Sequence, residues 1–169
     1  PPCINTSRHE AVIRGKSIYL GMGMLNAIED ETIHRILRSR EREGNFTDME
    51  DFLDRVPIGV EQIDILIRID AFRFMGKNKR ELLWEARFKL DPIKRTIEQQ
   101  MLFREPRKDY ELPMLESSLL EDAFDQIELL GFPLVDPFSL LENEPDSRVL
   151  ARDLTARIGQ RVKIFGYLV

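Results

Sequence analysis

The chain has 169 residues, of which 43% are hydrophobic and 33% are charged, and its formal net charge is −5 at neutral pH. This composition predicts a soluble globular protein, and the apolar runs are too short to cross a bilayer, so we expect no membrane partner. The N-terminus does not have the pattern of a signal peptide. Cys3 is the only cysteine, which excludes an internal disulfide and indicates a reducing, cytoplasmic location.

Charge is unevenly distributed along the chain. Residues 76–108 carry 10 basic and 5 acidic side chains, whereas residues 109–146 carry 11 acidic side chains and no lysine or arginine. A polyanion should therefore meet the middle of the chain. We expect the acidic segment either to face away from that polyanion or to meet a basic partner. The alternative, that both segments are ordinary solvated faces, stays open.

The first predicted elements are a hairpin and a helix. Val12-Ile13 and residues 18–20 are β-prone and flank Gly15-Lys16, which predicts a short β-hairpin. The apolar spacing in residues 25–41 then predicts a helix, and Gly44 is a good stop for it.

Three short helices are predicted next. Thr47 and Glu50 form a capping-box pattern for a helix in residues 48–56, which Pro57 ends. Residues 60–72 predict a nearly all-buried helix.

Asn78 is the expected N-cap of the following helix, in residues 78–88, and we interpret Trp84 within it as a core residue.

The second half of the chain contains one clear amphipathic helix, in residues 116–132. Its predicted apolar stripe consists of Leu119, Leu120, Phe124, Ile127 and Leu130. Residues 161–169 alternate as a strand does, with Val162 and Ile164 inward. Because a lone strand has no backbone partner, we expect the chain to be cut just inside a following β domain.

The short helices repeat loosely, and each of the tight turns that join them lies near a small residue. This is the pattern of helix-hairpin-helix units, in which a turn presents backbone N–H groups at a helix N-terminus and binds phosphate without reading bases. The predicted fold is therefore mainly α: a tandem helix-hairpin-helix domain with a short N-terminal β-hairpin and a truncated C-terminal strand.

The order of several segments resembles the C-terminal part of the alpha subunit of bacterial DNA polymerase III. These segments are PPCINTS, GMGMLNAIEDETI, FTDMEDFLDRV, IDILIRIDAFRFMGKNKREL, ELLGFPLVDPF and GQRVKIFGYLV. The resemblance covers essentially the whole chain. It implies a tandem helix-hairpin-helix DNA-binding domain at 1–92, a clamp-binding peptide and basic linker at 93–116, an acidic helical connector at 117–146, and a linker with the first strand of a truncated OB-fold at 147–169.

The resemblance also implies a role. The module would hold newly made duplex DNA by its backbone, tether the polymerase to the sliding clamp and work beside other replisome subunits. The parent protein would be a DNA-directed DNA polymerase that requires Mg²⁺, with its catalytic carboxylates far upstream. We therefore expect no catalytic residue, no metal site and no cofactor in this chain. We interpret His9 and His34, which lack Cys or His partners, as surface or cap residues.

The clamp-binding peptide implied by the resemblance is QQMLF, residues 99–103. Gln99 would hydrogen-bond at the rim of an apolar pocket that Leu102 and Phe103 fill. An exposed Leu-Phe pair costs solubility unless something covers it, which favours display to a partner. The alternative is that both side chains pack back onto the helices.

The phosphate-binding residues are expected in the later turns. They are Gly59 and Val60, then Lys77, Asn78, Lys79 and Arg80. The first turn departs from the family's usual Gly-hydrophobic-Gly, since it has Ala27, Ile28 and Glu29, followed by two more acids. Alanine does not take φ > 0 freely and three acids repel phosphate, so we expect the Ala27–Glu31 turn to be structural.

Two alternatives remain from the sequence. One is a protein-interaction scaffold without DNA contact of its own, and the other is the related error-prone alpha-type polymerase.

Overall fold

A computed structural model describes residues 1–90, 118–142, 149–164 and 166. The chain divides into two compact units, Pro1–Leu134 and Val135–Val169. The described part of the first unit contains a two-stranded antiparallel hairpin and five α-helices. The predicted mainly α class with an N-terminal β-hairpin is confirmed.

The α-helices of the first unit are mostly short. They are α1 (Asp30–Glu43), α2 (Met49–Arg55), α3 (Val60–Arg68), α4 (Lys79–Leu90) and α5 (Leu119–Leu130). Short 3₁₀ segments at Met22–Met24 and Arg73–Met75 lie before α1 and α4. The first unit therefore includes α5, which the sequence placed in an acidic connector.

The hairpin forms where it was predicted. Strands β1 (Val12–Arg14) and β2 (Ser17–Tyr19) pair antiparallel, with Ile13 opposite Ile18. Gly15 takes φ +63, a conformation that costs glycine little because it has no Cβ.

Two helix starts differ from the prediction. Helix α1 begins at Asp30, later than the expected residue 25, because Ala27 takes φ +62 and interrupts the helical path. Helix α2 is capped by Asp48 instead of Thr47: the Asp48 carboxylate accepts a 2.9 Å bond from the Asp51 N–H. That bond holds the pKa of Asp48 below its usual value. Asp48 is the N-cap in place of Thr47 because a carboxylate is a stronger hydrogen-bond acceptor than a hydroxyl at a helix N-terminus.

Helix α3 ends at Arg68, earlier than predicted, because the chain turns at Asp70 with φ +64. The predicted cap of α4 is confirmed. Asn78 Oδ1 accepts bonds of 2.8 Å and 3.1 Å from the N–H groups of Arg80 and Glu81.

The core lies among α1 to α4 and contains an aromatic stack. The ring of Phe52 meets Phe46 and Phe72 edge-on, with centroids 5.1 Å and 5.0 Å apart. All three side chains are buried, together with Ile4 from the N-terminal segment and Met22. This packing joins α2 to the turn that follows α3, and so fixes the positions of the turns between the helices.

Two predicted core features are wrong. Trp84 is 60% exposed, so it is not a core residue. Most of the predicted apolar stripe of α5 also faces outward, since Leu119, Leu120 and Phe124 are exposed while Ala123 is buried. The apolar periodicity of α5 predicts the wrong buried face, because the side of the helix that faces α3 and α4 carries the carboxylates that pair with their basic side chains.

The described part of the second unit contains two 3₁₀ segments, Pro137–Leu140 and Ala151–Arg157. Residues 161–164 belong to no strand, so this part of the predicted C-terminal strand does not form. The part of the second unit that the structure describes offers no neighbouring strand with which these residues could exchange backbone hydrogen bonds. Among the described residues, no helix has the length and hydrophobicity that a membrane span needs.

Candidate nucleic-acid interface

The N-terminus of α3 is open. Gly59 occupies the N-cap position and no side chain caps the helix. A Cβ built on Gly59 would meet nothing within 4 Å, so a ligand can approach the first turn freely. The first N–H groups of a helix have no intrahelical partner and carry partial positive charge, which attracts anions. The start of α3 at Gly59 and Val60 is therefore accessible to an anion.

A basic side chain lies beside this turn. Arg35, on α1, donates from Nη1 to the Pro57 carbonyl at 3.1 Å, and its Nε donates to Glu31 Oε1 at 3.3 Å. The guanidinium therefore adds positive charge just before α3. Arg35 was not predicted as a site residue, because it lies 22 residues before Pro57 in the chain and no local motif marks it.

The first hairpin turn is closed by contacts from two helices. Asn26 donates from its backbone N–H to the Leu129 carbonyl at 2.7 Å and from its side chain to the Glu128 carbonyl at 3.0 Å. Gln62 donates to the Ala27 carbonyl at 3.0 Å and accepts from the Glu29 N–H at 2.8 Å. Since these donors already have partners inside the chain, the geometry favours the structural role expected for this turn.

Both histidines contact Asp30, the first residue of α1. His9 Nε2 is 3.0 Å from Asp30 Oδ1, and His34 Nδ1 is 2.7 Å from the Asp30 carbonyl. Their rings are 5.6 Å apart. His34 is exposed and His9 is partly exposed, in agreement with the interpretation of both as surface or cap residues, but each does have a histidine neighbour.

The predicted cations at the start of α4 are engaged by carboxylates. Lys79 Nζ lies 2.6 Å from Asp122 and 3.4 Å from Asp125, both on α5. Arg80 donates to Glu121 Oε1 at 2.8 Å, also on α5.

Lys77 instead pairs with Glu85 of α4 at 2.6 Å. The Lys79 side chain is only 16% exposed. The acidic segment therefore meets a basic partner, and this partner belongs to the same chain.

Arg68 extends the same network from the end of α3. Its Nε donates to Asp125 at 2.8 Å, and its second terminal nitrogen contacts Glu128. These hydrogen bonds hold the pKa of Glu128 below its usual value, and the bond from Arg80 does the same for Glu121. Four carboxylates of α5, on Glu121, Asp122, Asp125 and Glu128, thus pair with the three cations Arg68, Lys79 and Arg80.

The two predicted groups of phosphate-binding residues lie at opposite ends of α3. Asp125 contacts both Arg68, the last residue of α3, and Lys79, the first residue of α4. Gly59 lies at the other end, nine helical residues away, which corresponds to about 13 Å. A ligand that touches both groups must therefore extend along α3. The predicted clamp-binding residues Gln99, Leu102 and Phe103 lie outside the described residues.

Comparison with known proteins agrees with this arrangement. The helix-hairpin-helix motif family matches residues 1–82. A DNA polymerase III subunit alpha of Staphylococcus epidermidis is 32% identical over 138 residues, which are 78% of this chain and 13% of that protein. An error-prone DNA polymerase of Mycobacterium bovis is 31% identical over 87 residues, 50% of this chain and 8% of that protein.

A further error-prone DNA polymerase, from Bradyrhizobium sp., is 31% identical over 106 residues, or 63% of this chain and 9% of that protein. The chain thus spans about a tenth of the length of these relatives. The helix-hairpin-helix match covers the hairpin, α1 to α3 and the start of α4, which are the elements that build the candidate interface. The chain therefore carries a helix-hairpin-helix domain and is related to one segment of bacterial DNA polymerase III alpha subunits and error-prone DNA polymerases.

Proposed function

We propose that this chain is a non-catalytic module of a bacterial DNA polymerase that binds the backbone of duplex DNA without reading sequence. The open N-terminus of α3 at Gly59 carries this proposal. Free N–H groups at a helix start bind phosphate through hydrogen bonds and the helix dipole. Arg35, beside the preceding turn, would add a charge-assisted contact.

The second contact would be the start of α4. There Lys77, Lys79 and Arg80 surround the Asn78 cap. Because the two contacts lie at opposite ends of α3, about 13 Å apart, they would meet different phosphates of the duplex backbone. Nothing in this set reads base edges, so binding should be weak, sequence-independent and sensitive to salt.

We further propose that residues 99–103 tether the polymerase to the sliding clamp, with Gln99, Leu102 and Phe103 as anchors. Burying two apolar side chains contributes roughly 1.5–3 kcal/mol each, so the peptide alone should bind at micromolar strength or weaker. The whole protein would be a Mg²⁺-dependent DNA-directed DNA polymerase that acts in the cytoplasm with other replisome subunits. Relatives of both the replicative and the error-prone class match the chain, and the proposal covers both.

Changing Gly59 tests the DNA contact. Gly59 has φ −82 and ψ 160, which any residue adopts, so Gly59→Asp and Gly59→Asn should both fold. Each new side chain can cap α3, but only aspartate adds a negative charge where phosphate would bind.

We expect Gly59→Asp to weaken duplex binding in fluorescence anisotropy by about tenfold and to reduce the salt slope by about one. Gly59→Asn should weaken it less, and both variants should melt at or above the wild-type temperature. Equal affinity and equal salt slope for Gly59→Asp and the wild type would exclude this turn as the contact. If the wild-type chain binds no duplex even at low salt, the protein-interaction scaffold is the better function, an outcome that the internal pairing of Lys79 and Arg80 favours.

The clamp contact has its own experiment. The double variant Leu102→Ala, Phe103→Ala should lose clamp binding in calorimetry and keep its helical circular dichroism, whereas Met101→Ala, the neighbouring control, should bind as the wild type does. Clamp binding by the double variant at wild-type strength would refute the tether.

A further inference from the structure

We infer that the acidic face of α5 competes with the DNA backbone for the cations at the start of α4, so that DNA binding displaces the N-terminal half of α5. This inference rests on the proposed function, because it concerns the regulation of the same site. The first observation is direct occupancy. Lys79 and Arg80, two proposed phosphate ligands, already contact Asp122, Asp125 and Glu121.

The second observation is how unevenly α5 is attached. Its C-terminal end is held by buried Leu129 and Leu130 and by two hydrogen bonds from Asn26. In its N-terminal half Leu119, Leu120 and Phe124 are exposed, and Ala123 supplies the buried apolar contact.

That half of α5 is therefore held mainly by ion pairs. Ion pairs that water reaches contribute little to stability, and they weaken with salt. The N-terminal half is thus the part that a competing polyanion can release while the C-terminal end stays in place.

The third observation is that α5 resembles the competitor chemically. Glu121, Asp122, Asp125 and Glu128 form one row of negative charge along the helix, and every one of them contacts Lys79, Arg80 or Arg68. Carboxylate oxygens at i, i+1, i+4 and i+7 lie on one helix face, as phosphates lie along a strand.

A row of carboxylates and a row of phosphates satisfy the same donors, so only one of them can occupy these cations at a time. By linkage, α5 must then weaken DNA binding by the same factor as DNA weakens the docking of α5.

Variants in which neutral amides replace carboxylates test the competition in the 169-residue chain. The test variant is Glu121→Gln, Asp122→Asn, Asp125→Asn. The control is Glu10→Gln, Glu41→Gln, Asp54→Asn, which removes the same charge from exposed carboxylates that form no ion pair within the described residues.

In duplex binding measured by anisotropy at low salt, the test variant should bind at least fivefold tighter than the wild type, and the control less than twofold tighter. Adding Lys79→Gln and Arg80→Gln to the test variant should abolish the gain. Equal gains for test and control, no gain at all, or a gain that survives those two changes would overturn the inference.

Hydrogen exchange on the wild-type chain gives a second measurement that needs no variant. When duplex is added, exchange should rise in residues 119–125 and stay unchanged at Leu129 and Leu130. Unchanged or slower exchange in residues 119–125 in the presence of bound duplex would show that α5 stays docked when DNA binds, and would overturn the inference.

The outcomes also separate this inference from the proposed function. If Gly59→Asp weakens DNA binding but the α5 variant binds as the wild type does, the competition is refuted and the DNA contact stands. If neither the wild type nor the α5 variant binds duplex at low salt, both are refuted.

Discussion

Gln62 closes the turn at Ala27 with both ends of its side-chain amide. Its Nε2 donates to the Ala27 carbonyl at 3.0 Å, and its Oε1 accepts from the Glu29 N–H at 2.8 Å. This pair of bonds joins the first turn of α3 to the residue that precedes α1. It also occupies the N–H group of Glu29, the N-cap of α1, and Glu29, Asp30 and Glu31 place negative charge at that helix start, so the start of α3 at Gly59 becomes the better anion site.

Removing the Gln62 amide should destabilise the protein. Gln62→Ala leaves the Ala27 carbonyl and the Glu29 N–H without their partner, and we expect a loss of about 1–2 kcal/mol in the free energy of unfolding. Urea denaturation followed by circular dichroism measures this loss. Glu61→Ala, at the adjacent exposed position, should change stability by less than about 0.5 kcal/mol. Equal effects of the two changes would show that the Gln62 bonds do not stabilise the turn.

Glycine should be better than alanine at position 27. Ala27 has φ +62, in the left-handed region, where a non-glycine residue is strained by about 1 kcal/mol. Ala27→Gly removes that strain, and the more flexible unfolded chain offsets part of the gain. We expect a net stabilisation of up to about 1 kcal/mol by thermal denaturation.

The control is Ala86→Gly, at a buried position inside α4, which should destabilise by about 1 kcal/mol or more. A loss of stability for Ala27→Gly comparable to that of Ala86→Gly would contradict the strain at position 27.

The elements that the sequence predicted well depend on local chemistry. Gly15 in the hairpin, Gly44 after α1 and Asn78 before α4 were all identified because their conformational freedom or capping ability acts within a few residues. Family resemblance added the expected helix-hairpin-helix arrangement. The uncapped glycine at the start of α3 was also visible in the sequence.

What the sequence could not predict depends on contacts distant along the chain. Ala27 takes φ > 0 although it is not glycine, because contacts from α3 and α5 fix its turn. Helix α5 presents Asp125 to Arg68 and Lys79, which precede that residue by 57 and 46 positions, and so exposes much of the stripe that its periodicity marked as core. A local hydrophobic pattern cannot indicate that ion pairs with distant residues decide which face of a helix is turned inward.

The exposure of Trp84 is directly measurable, since it is the single tryptophan of the chain. At 60% exposure, its fluorescence should be quenched by acrylamide almost as strongly as in the urea-unfolded chain. Trp84→Ala should cost less than about 1 kcal/mol, whereas Phe52→Ala, which removes a fully buried ring, should cost about 3–5 kcal/mol. A shielded, blue-shifted emission together with a large loss for Trp84→Ala would restore the interpretation of Trp84 as core.

Asp70 should make stability depend on pH. Burial raises its pKa, although the nearby Lys79 and Arg73 act in the opposite direction. The folded state therefore holds the Asp70 proton more tightly than the unfolded state does. The wild type should lose stability as pH rises from the unfolded pKa, about 3.9, through the higher folded pKa.

Asp70→Asn removes this titration and keeps a side chain that tolerates φ > 0. The variant should be more stable than the wild type at neutral pH, and its advantage should shrink as pH falls below the folded pKa. Urea denaturation between pH 3.5 and 7 measures the difference, and Asp54→Asn, at an exposed position, controls for the change of net charge. If the advantage of Asp70→Asn is the same at both ends of this pH range, it comes from backbone preference alone and not from the buried carboxylate.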